Sequence, residues 1–383
     1  MKQTLSPTLA MNERVRAMVA EGKEVFRFGF GQSPFEVPGP VVEALKANAH
    51  QKDYLPVRGL WALRQSVVDW WKRTQGEAFA TWTGDQVLVG PGSKELMFQL
   101  QMGYRGTLLL PNPSWVSYVP HAEMAGQKYR WMECHAEDGF RLNAETLAMH
   151  CDEVPGPKLL VLNSPNNPCG HAYDAEHLEP LVEVLEQHTD VLVLSDEIYS
   201  ELHFAGEHVS IARYLPDRTC VATGLSKWCG AGGWRLGVMM VPPELTDLAD
   251  RMASWASDTV SCASAPIQYA AVDAWKMEGE VGEYVRRTRA TMAEVGGRVG
   301  AALADIPDIE MSSIDGGFYV YFRLPGSDPT WCERLLNDTG VALLHGSAFG
   351  RPADEISARL AFVDLDKVDE GMDRLVSWLK TSL

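Results

Sequence analysis

The run Val191-Leu192-Val193-Leu194-Ser195-Asp196-Glu197-Ile198-Tyr199 sets four aliphatic residues directly before two acids and a phenol. Consecutive apolar residues without alternation suit a strand covered on both faces, as in sheets with helices on either side. Runs of the same kind stand at Val87 to Val89, Leu108 to Leu110, Leu159 to Leu162 and Leu236 to Val241. Between them, Ser93 to Tyr104 and Leu178 to Gln187 repeat apolar residues at helical spacing. This succession predicts an α/β architecture with a mostly parallel sheet. Open sheets of that type bind ligands outside the carboxyl ends of their strands, so the polar residues that end each run are the first place to seek a site.

At 383 residues the chain exceeds what one core usually holds. Near residue 280 the texture changes. Glu283 to Ala304 reads as one long helix, followed by the aromatic run Phe318-Tyr319-Val320-Tyr321-Phe322 and a last helix from about Asp366 to Leu379. Pro34, Pro38, Gly39 and Pro40 break the early chain. The expected division is an N-terminal arm with part of a smaller body over 1–40, a large α/β domain over 41–280, and a smaller α+β domain over 281–383.

Composition narrows the function. With 34 basic and 51 acidic residues, the net charge of −17 opposes binding to nucleic acid or anionic lipid. No apolar run is long enough to span a bilayer, and Met1 to Ala20, with Glu13, Arg14 and Arg16, does not read as a signal peptide. Seven scattered cysteines lack the close pairing of a zinc site. The expectation is no metal, reduced thiols and a cytoplasmic protein.

Five stretches carry chemistry. Gly224-Leu225-Ser226-Lys227-Trp228-Cys229-Gly230-Ala231-Gly232-Gly233-Trp234-Arg235-Leu236-Gly237 is a glycine-rich loop with a lysine and an arginine eight residues apart. Lysine can form a Schiff base with an aldehyde, and arginine can hold a phosphate as a fork of donors, although a lone loop lysine is ordinarily a solvated charge. Asp196 and Tyr199, just past a buried run, can pair with a protonated ring nitrogen and a ring oxygen; the plainer alternative for Asp196 is a helix N-cap. Leu162-Asn163-Ser164-Pro165-Asn166-Asn167-Pro168-Cys169-Gly170 is an ordinary turn by composition, with prolines placed to aim the Asn167 amide. Gly90-Pro91-Gly92-Ser93-Lys94-Glu95 lies between strand and helix, where free N–H groups and the helix dipole attract anions. Trp115, in Pro111-Asn112-Pro113-Ser114-Trp115-Val116-Ser117-Tyr118, offers an aromatic face, more often used for packing than for stacking on a ligand.

Taken together, these stretches resemble the fold type I pyridoxal-phosphate enzymes, specifically the class I and II aminotransferases, from about Phe28 to Val363. The combination Asn-Asn-Pro, Asp-Glu-Ile-Tyr and Ser-Lys with Gly-Trp-Arg is highly specific. The resemblance implies pyridoxal 5′-phosphate as cofactor, carried by Lys227. It implies Asp196 at the pyridine nitrogen, Tyr199 and Asn167 at the ring hydroxyl, and Trp115 stacked on the ring. Ser93 and Lys94, through backbone N–H, and Arg235 would hold the phosphate, helped by Tyr54 of a neighbouring subunit in a homodimer. Arg359 matches the arginine that grips the substrate α-carboxylate, and Gly31 the backbone that closes on it. Asn167 and Trp115 would also face the substrate, an amino acid and a 2-oxo acid in turn.

Three positions depart from the family pattern: Gly224 replaces a serine, Cys169 a threonine, and His345 a proline. Lys94, and Arg58 from the neighbouring subunit, are candidates to read an acidic side chain; a pocket lined by Trp61, Trp255 or Phe35 would favour aromatic or thioether donors. Ping-pong amino-group transfer is the first reading. A C–S lyase or other elimination enzyme shares the same site, because the site sets up only the carbanion. A cofactor-binding regulatory module is a third, opposed by the charge and by the lack of a DNA-binding head before the arm.

Overall fold

The computed structural model describes residues 7–382; the first six residues of the expected arm lie outside that range. A helix over Pro7–Ala20 precedes a short strand β1 (Phe26–Arg27). Seven strands follow: β2 (Val87–Gly90), β3 (Thr107–Asn112), β4 (Tyr129–Glu133), β5 (Lys158–Asn163), β6 (Val191–Asp196), β7 (Thr219–Gly224) and β8 (Gly237–Met240). They form one sheet in the order β2-β8-β7-β6-β5-β3-β4, parallel except for β8, which runs antiparallel to β2 and β7. The structure thus has the mostly parallel α/β sheet that the apolar runs imply. Strand β4 was not anticipated. Only Met132 of its five residues is buried, so it has no continuous apolar run to mark it.

Later strands are β9 (Glu310–Met311), β10 (Tyr319–Ser327), β11 (Val341–Ala342), β12 (Leu344–His345) and β13 (Glu355–Ala361). Four make a second sheet in the order β12-β13-β10-β9, while β11 pairs in parallel with β1. The long helix spans Gly279–Ala304 and the last Val368–Ser382, each starting within a few residues of its expected place.

Local chemistry accounts for several boundaries. The helix Ala175–Gln187 starts where the Asp174 carboxylate accepts the His177 backbone N–H at 3.0 Å, and Ala144–Glu153 starts where Asn143 accepts from Thr146 N at 2.9 Å. Such caps satisfy donors that the first turn leaves open. The strands β5, β6 and β7 are buried at every position, including the polar residues Asn163 and Asp196 that end β5 and β6.

Candidate active site

Those strand ends assemble the site. In register, Asn163 ending β5 lies beside Asp196 ending β6, with β7 next to it. Across β2, β8 and β7, three glycines align: Gly90 opposite Gly237, and Gly237 opposite Gly224. From this row the chain leads to Ser93, Lys227 and Arg235, so stretches more than a hundred residues apart in sequence open at one edge. A Cβ on Gly237 would lie 2.0 Å from Ser93 N, so bare backbone is what brings the helix Ser93–Gly103 this close.

A cavity of about 470 Å³ opens here. Its walls include Gly31, Ser93, Lys94, Trp115, Asn167, Asp196, Tyr199, Lys227, Arg235 and Arg359. Tyr54 lies apart from it and is 88% exposed. Arg58 is not in the lining either; it pairs with Asp250 and donates to the Asp85 carbonyl at 3.2 Å. None of Trp61, Trp255 and Phe35 lines the cavity, whose apolar walls come instead from Leu9, Phe30, Met97, Trp115, Val116 and Ile198.

Electrostatics is the outstanding property. Four cations (Lys94, Lys227, Arg235 and Arg359) and a single carboxylate, Asp196, line this cavity in a chain of net charge −17. Lys227 Nζ donates to the Gly31 carbonyl at 2.8 Å and lies 5.4 Å from the centre of the Tyr199 ring. Lys94 Nζ stands 5.0 Å over the Trp115 ring. Burial, then Arg235 and Lys227, hold its ammonium below the usual lysine range. Arg235 donates to the Gly232 carbonyl at 2.7 Å, and a Cβ on Gly92 would meet its Nη2 at 2.3 Å.

Asp196 is buried, and burial raises its carboxyl to about 6 although hydrogen bonds oppose the shift. Tyr118, three residues past Trp115, donates its hydroxyl to Asp196 Oδ2 at 2.7 Å. Asn163 Nδ2 donates to the Asp196 carbonyl at 2.8 Å, and Asn163 Oδ1 accepts from Asn167 N at 2.7 Å. Asp196 also accepts from Ile198 N at 3.3 Å, a turn contact close to the capping alternative.

Arg359 is buried with no acid partner among the described residues. It donates to Asn167 Oδ1 at 3.1 Å and to the Gly29 carbonyl at 2.7 Å, while its Nε has no partner. Rings of Tyr319 and Phe349 flank its guanidinium at 4.6 and 5.1 Å. Sequence reasoning missed Tyr118, Asn163, Tyr319 and Phe349. Tyr118 and Asn163 sat inside the quoted stretches, but nothing local marked them; Tyr319 was read as part of a strand.

Two of the three departures now have physical accounts. A Cβ on Gly224 would meet Leu236 O at 2.7 Å and Gly237 Cα at 3.0 Å, leaving no room for a serine. His345 has φ −57°, a value open to proline, and its Nδ1 accepts from Ser347 N at 3.0 Å, capping the turn Gly346–Phe349. Cys169 packs against Phe140 and Tyr321, but nothing in the structure explains a cysteine there in preference to threonine.

The strand ends of an α/β sheet and a strand of the second sheet thus gather a lysine, a carboxylate and two arginines about one cavity. The match to the family described as aminotransferase class I and II, over residues 23–375, shows that this chain belongs to that family. It is 30% identical to an aspartate aminotransferase of Bacillus subtilis, over 97% of this chain and 95% of the relative. Its fold matches the aspartate aminotransferase of Thermus thermophilus with maleate at a TM-score of 0.88 and 27% identity, covering 98% and 97% of the two chains. It also matches an aromatic aminotransferase of Pyrococcus horikoshii at 0.84 and 27%, covering 96% of this chain and 98% of that one. The chain is an aminotransferase; fold likeness to both leaves the side-chain preference to the cavity.

Proposed function

We propose that this aminotransferase uses pyridoxal 5′-phosphate held in the cavity and accepts acidic amino donors, as a cytoplasmic homodimer. The observation that carries the reading is that four cations and one carboxylate line the same cavity. That set fits a ligand with a phosphate, a basic ring nitrogen and an aldehyde, together with a substrate carboxylate. When bound, the cofactor supplies the aldehyde that takes the amino group and a ring that receives the electrons released at the substrate α-carbon.

Each residue then has a task. Ser93 N–H at a helix start, the Lys94 backbone and Arg235 hold the phosphate. Trp115 covers the ring, and Tyr199 with Asn167 donates to the ring hydroxyl. Asp196 keeps a proton on the ring nitrogen. A protonated ring nitrogen there would favour the charged form of Asp196 that burial disfavours. Lys227 would carry the cofactor and, as a free amine, would move the proton at the substrate α-carbon. Arg359 grips the α-carboxylate, its planar fork suited to two parallel hydrogen bonds, with Gly31 closing beside it. Lys94 Nζ, which stands over the Trp115 ring, would meet the distal carboxylate of an acidic donor. Tyr54 of the second subunit completes the phosphate site. The product leaves before the second 2-oxo acid enters, so the kinetics are ping-pong.

The test is to incubate holoenzyme with aspartate and 2-oxoglutarate. Glutamate and oxaloacetate in equal amounts support transfer; ammonia release without a new amino acid would establish the elimination reading. Borohydride reduction followed by peptide mapping should label Lys227, and a label on any other lysine removes the assignment.

A further inference from the structure

Tyr319 belongs to β10, is fully buried, and lines the cavity. Its hydroxyl lies 2.9 Å from the Tyr199 hydroxyl and 3.4 Å from the Gly31 carbonyl; Lys227 Nζ already donates to that carbonyl at 2.8 Å, which leaves the Tyr319 proton for Tyr199. Its ring supports Arg359 at 4.6 Å, roughly edge-on to the Tyr199 ring at 82°. The backbone makes room for it: a Cβ on Gly31 would lie 1.8 Å from the Tyr319 oxygen, so any side chain at 31 would displace the hydroxyl.

We propose that Tyr319 is a positioning residue that links Tyr199 to Arg359, its hydroxyl serving Tyr199 and its ring face serving Arg359. The inference rests on the roles given above to Tyr199 and Arg359. A phenol has one proton to give. If Tyr199 gives its proton to the cofactor ring oxygen, its own oxygen is left as an acceptor, and Tyr319 is the donor 2.9 Å away that fills it. A hydrogen bond received in this way strengthens the one donated. Burial, and the proximity of the two hydroxyls, push the Tyr199 phenol well above its usual range, so it remains a donor. On the other side, a guanidinium held against an aromatic face has fewer orientations to lose when it takes a carboxylate.

Two variants separate the two functions. Y319F keeps the ring and removes the hydroxyl; Y319L removes the ring as well. Maleate, a dicarboxylate without an amino group, serves as the binding probe, and the visible absorbance of bound cofactor is titrated with pH. Cofactor loading and Tm are recorded for both variants. In Y319F the absorbance midpoint should rise, because weaker donation to the ring oxygen favours its protonated form, while maleate affinity stays near wild type. In Y319L maleate binding should weaken roughly three- to thirtyfold, the range expected on losing a desolvated cation–π contact. If Y319L does not fold, Y319F still decides the hydroxyl half, since every packing contact is kept. A Y319F titration that superimposes on wild type, or a folded Y319L that binds maleate as wild type does, overturns the proposal. Wild-type protein that takes up no pyridoxal phosphate and binds no maleate overturns the reading of the cavity and this inference with it.

Discussion

Asp196 is the group whose environment most clearly sets a measurable property. Burial raises its carboxyl from 3.8 to about 6 in the chain without cofactor. The folded chain therefore holds a proton that the unfolded chain has lost. This contribution to stability is complete below the unfolded value and disappears as pH rises through about 6. Replacing it by asparagine removes the titration. Between about pH 5 and about pH 7.5, the stability of cofactor-free wild type should fall by roughly 1–1.5 kcal/mol relative to D196N. Urea melts at the two pH values check this, and a wild-type-to-variant difference independent of pH would contradict the burial account. Lys94 governs substrate choice in the same reading. A charged hydrogen bond in a site screened from water contributes ~1.5–3 kcal/mol, so K94A should lower the ratio of kcat/KM for aspartate over phenylalanine about tenfold or more. R58A should leave that ratio unchanged, because Arg58 is already engaged by Asp250 of its own chain. An unaltered ratio in K94A would leave pocket shape as the determinant.

Elements impose their own constraints, clearest where β7 and β8 meet. Gly224 and Gly237 are paired across these strands, and the Leu236 carbonyl occupies the space a side chain at 224 would need. G224S restores the residue usual in the family, yet here it should destabilise the fold by roughly 1–3 kcal/mol, the typical cost of overpacking. Urea denaturation of the holoenzyme measures it; a G224S protein as stable as wild type would mean that the strands separate freely. Much at this level was legible beforehand. Runs such as Val191 to Leu194 announce strands because burial on both faces demands apolar residues in succession. Tyr129–Glu133 escaped because an edge strand with a wet face carries no such run. The cap of Gly346–Phe349 by His345 escaped because a lone histidine has no local signature.

Assembly brings in Tyr54, whose ring is 88% exposed in the single chain. We propose that the partner subunit's site uses it, and that the chain divides into the arm, large body and smaller body expected above. If K227A and Y54A chains are mixed and allowed to exchange subunits, each hybrid contains one site with both Lys227 and Tyr54 intact. Activity should return to about a quarter of wild type, as half the dimers are hybrids with one complete site each. Two inactive variants that stay inactive after verified exchange would show that Tyr54 serves its own chain or none.

Sequence alone was enough to establish the parallel α/β sheet and to locate Asp196, Tyr199, Lys227 and Arg235. Each of these lies within a few residues of a buried strand run, and such adjacency is written in the order of the chain. Packing decided what those residues meet. Tyr118 reaches Asp196 across 78 positions, Tyr319 reaches Tyr199 across 120, and Asn167 meets Arg359 across 192. Periodicity records which residues are buried, since burial depends on a residue's own polarity. It does not record which distant surface arrives opposite them. That depends on how the second sheet sets Tyr319 and Arg359 against the strand ends, and with them the grip of the site on its substrate.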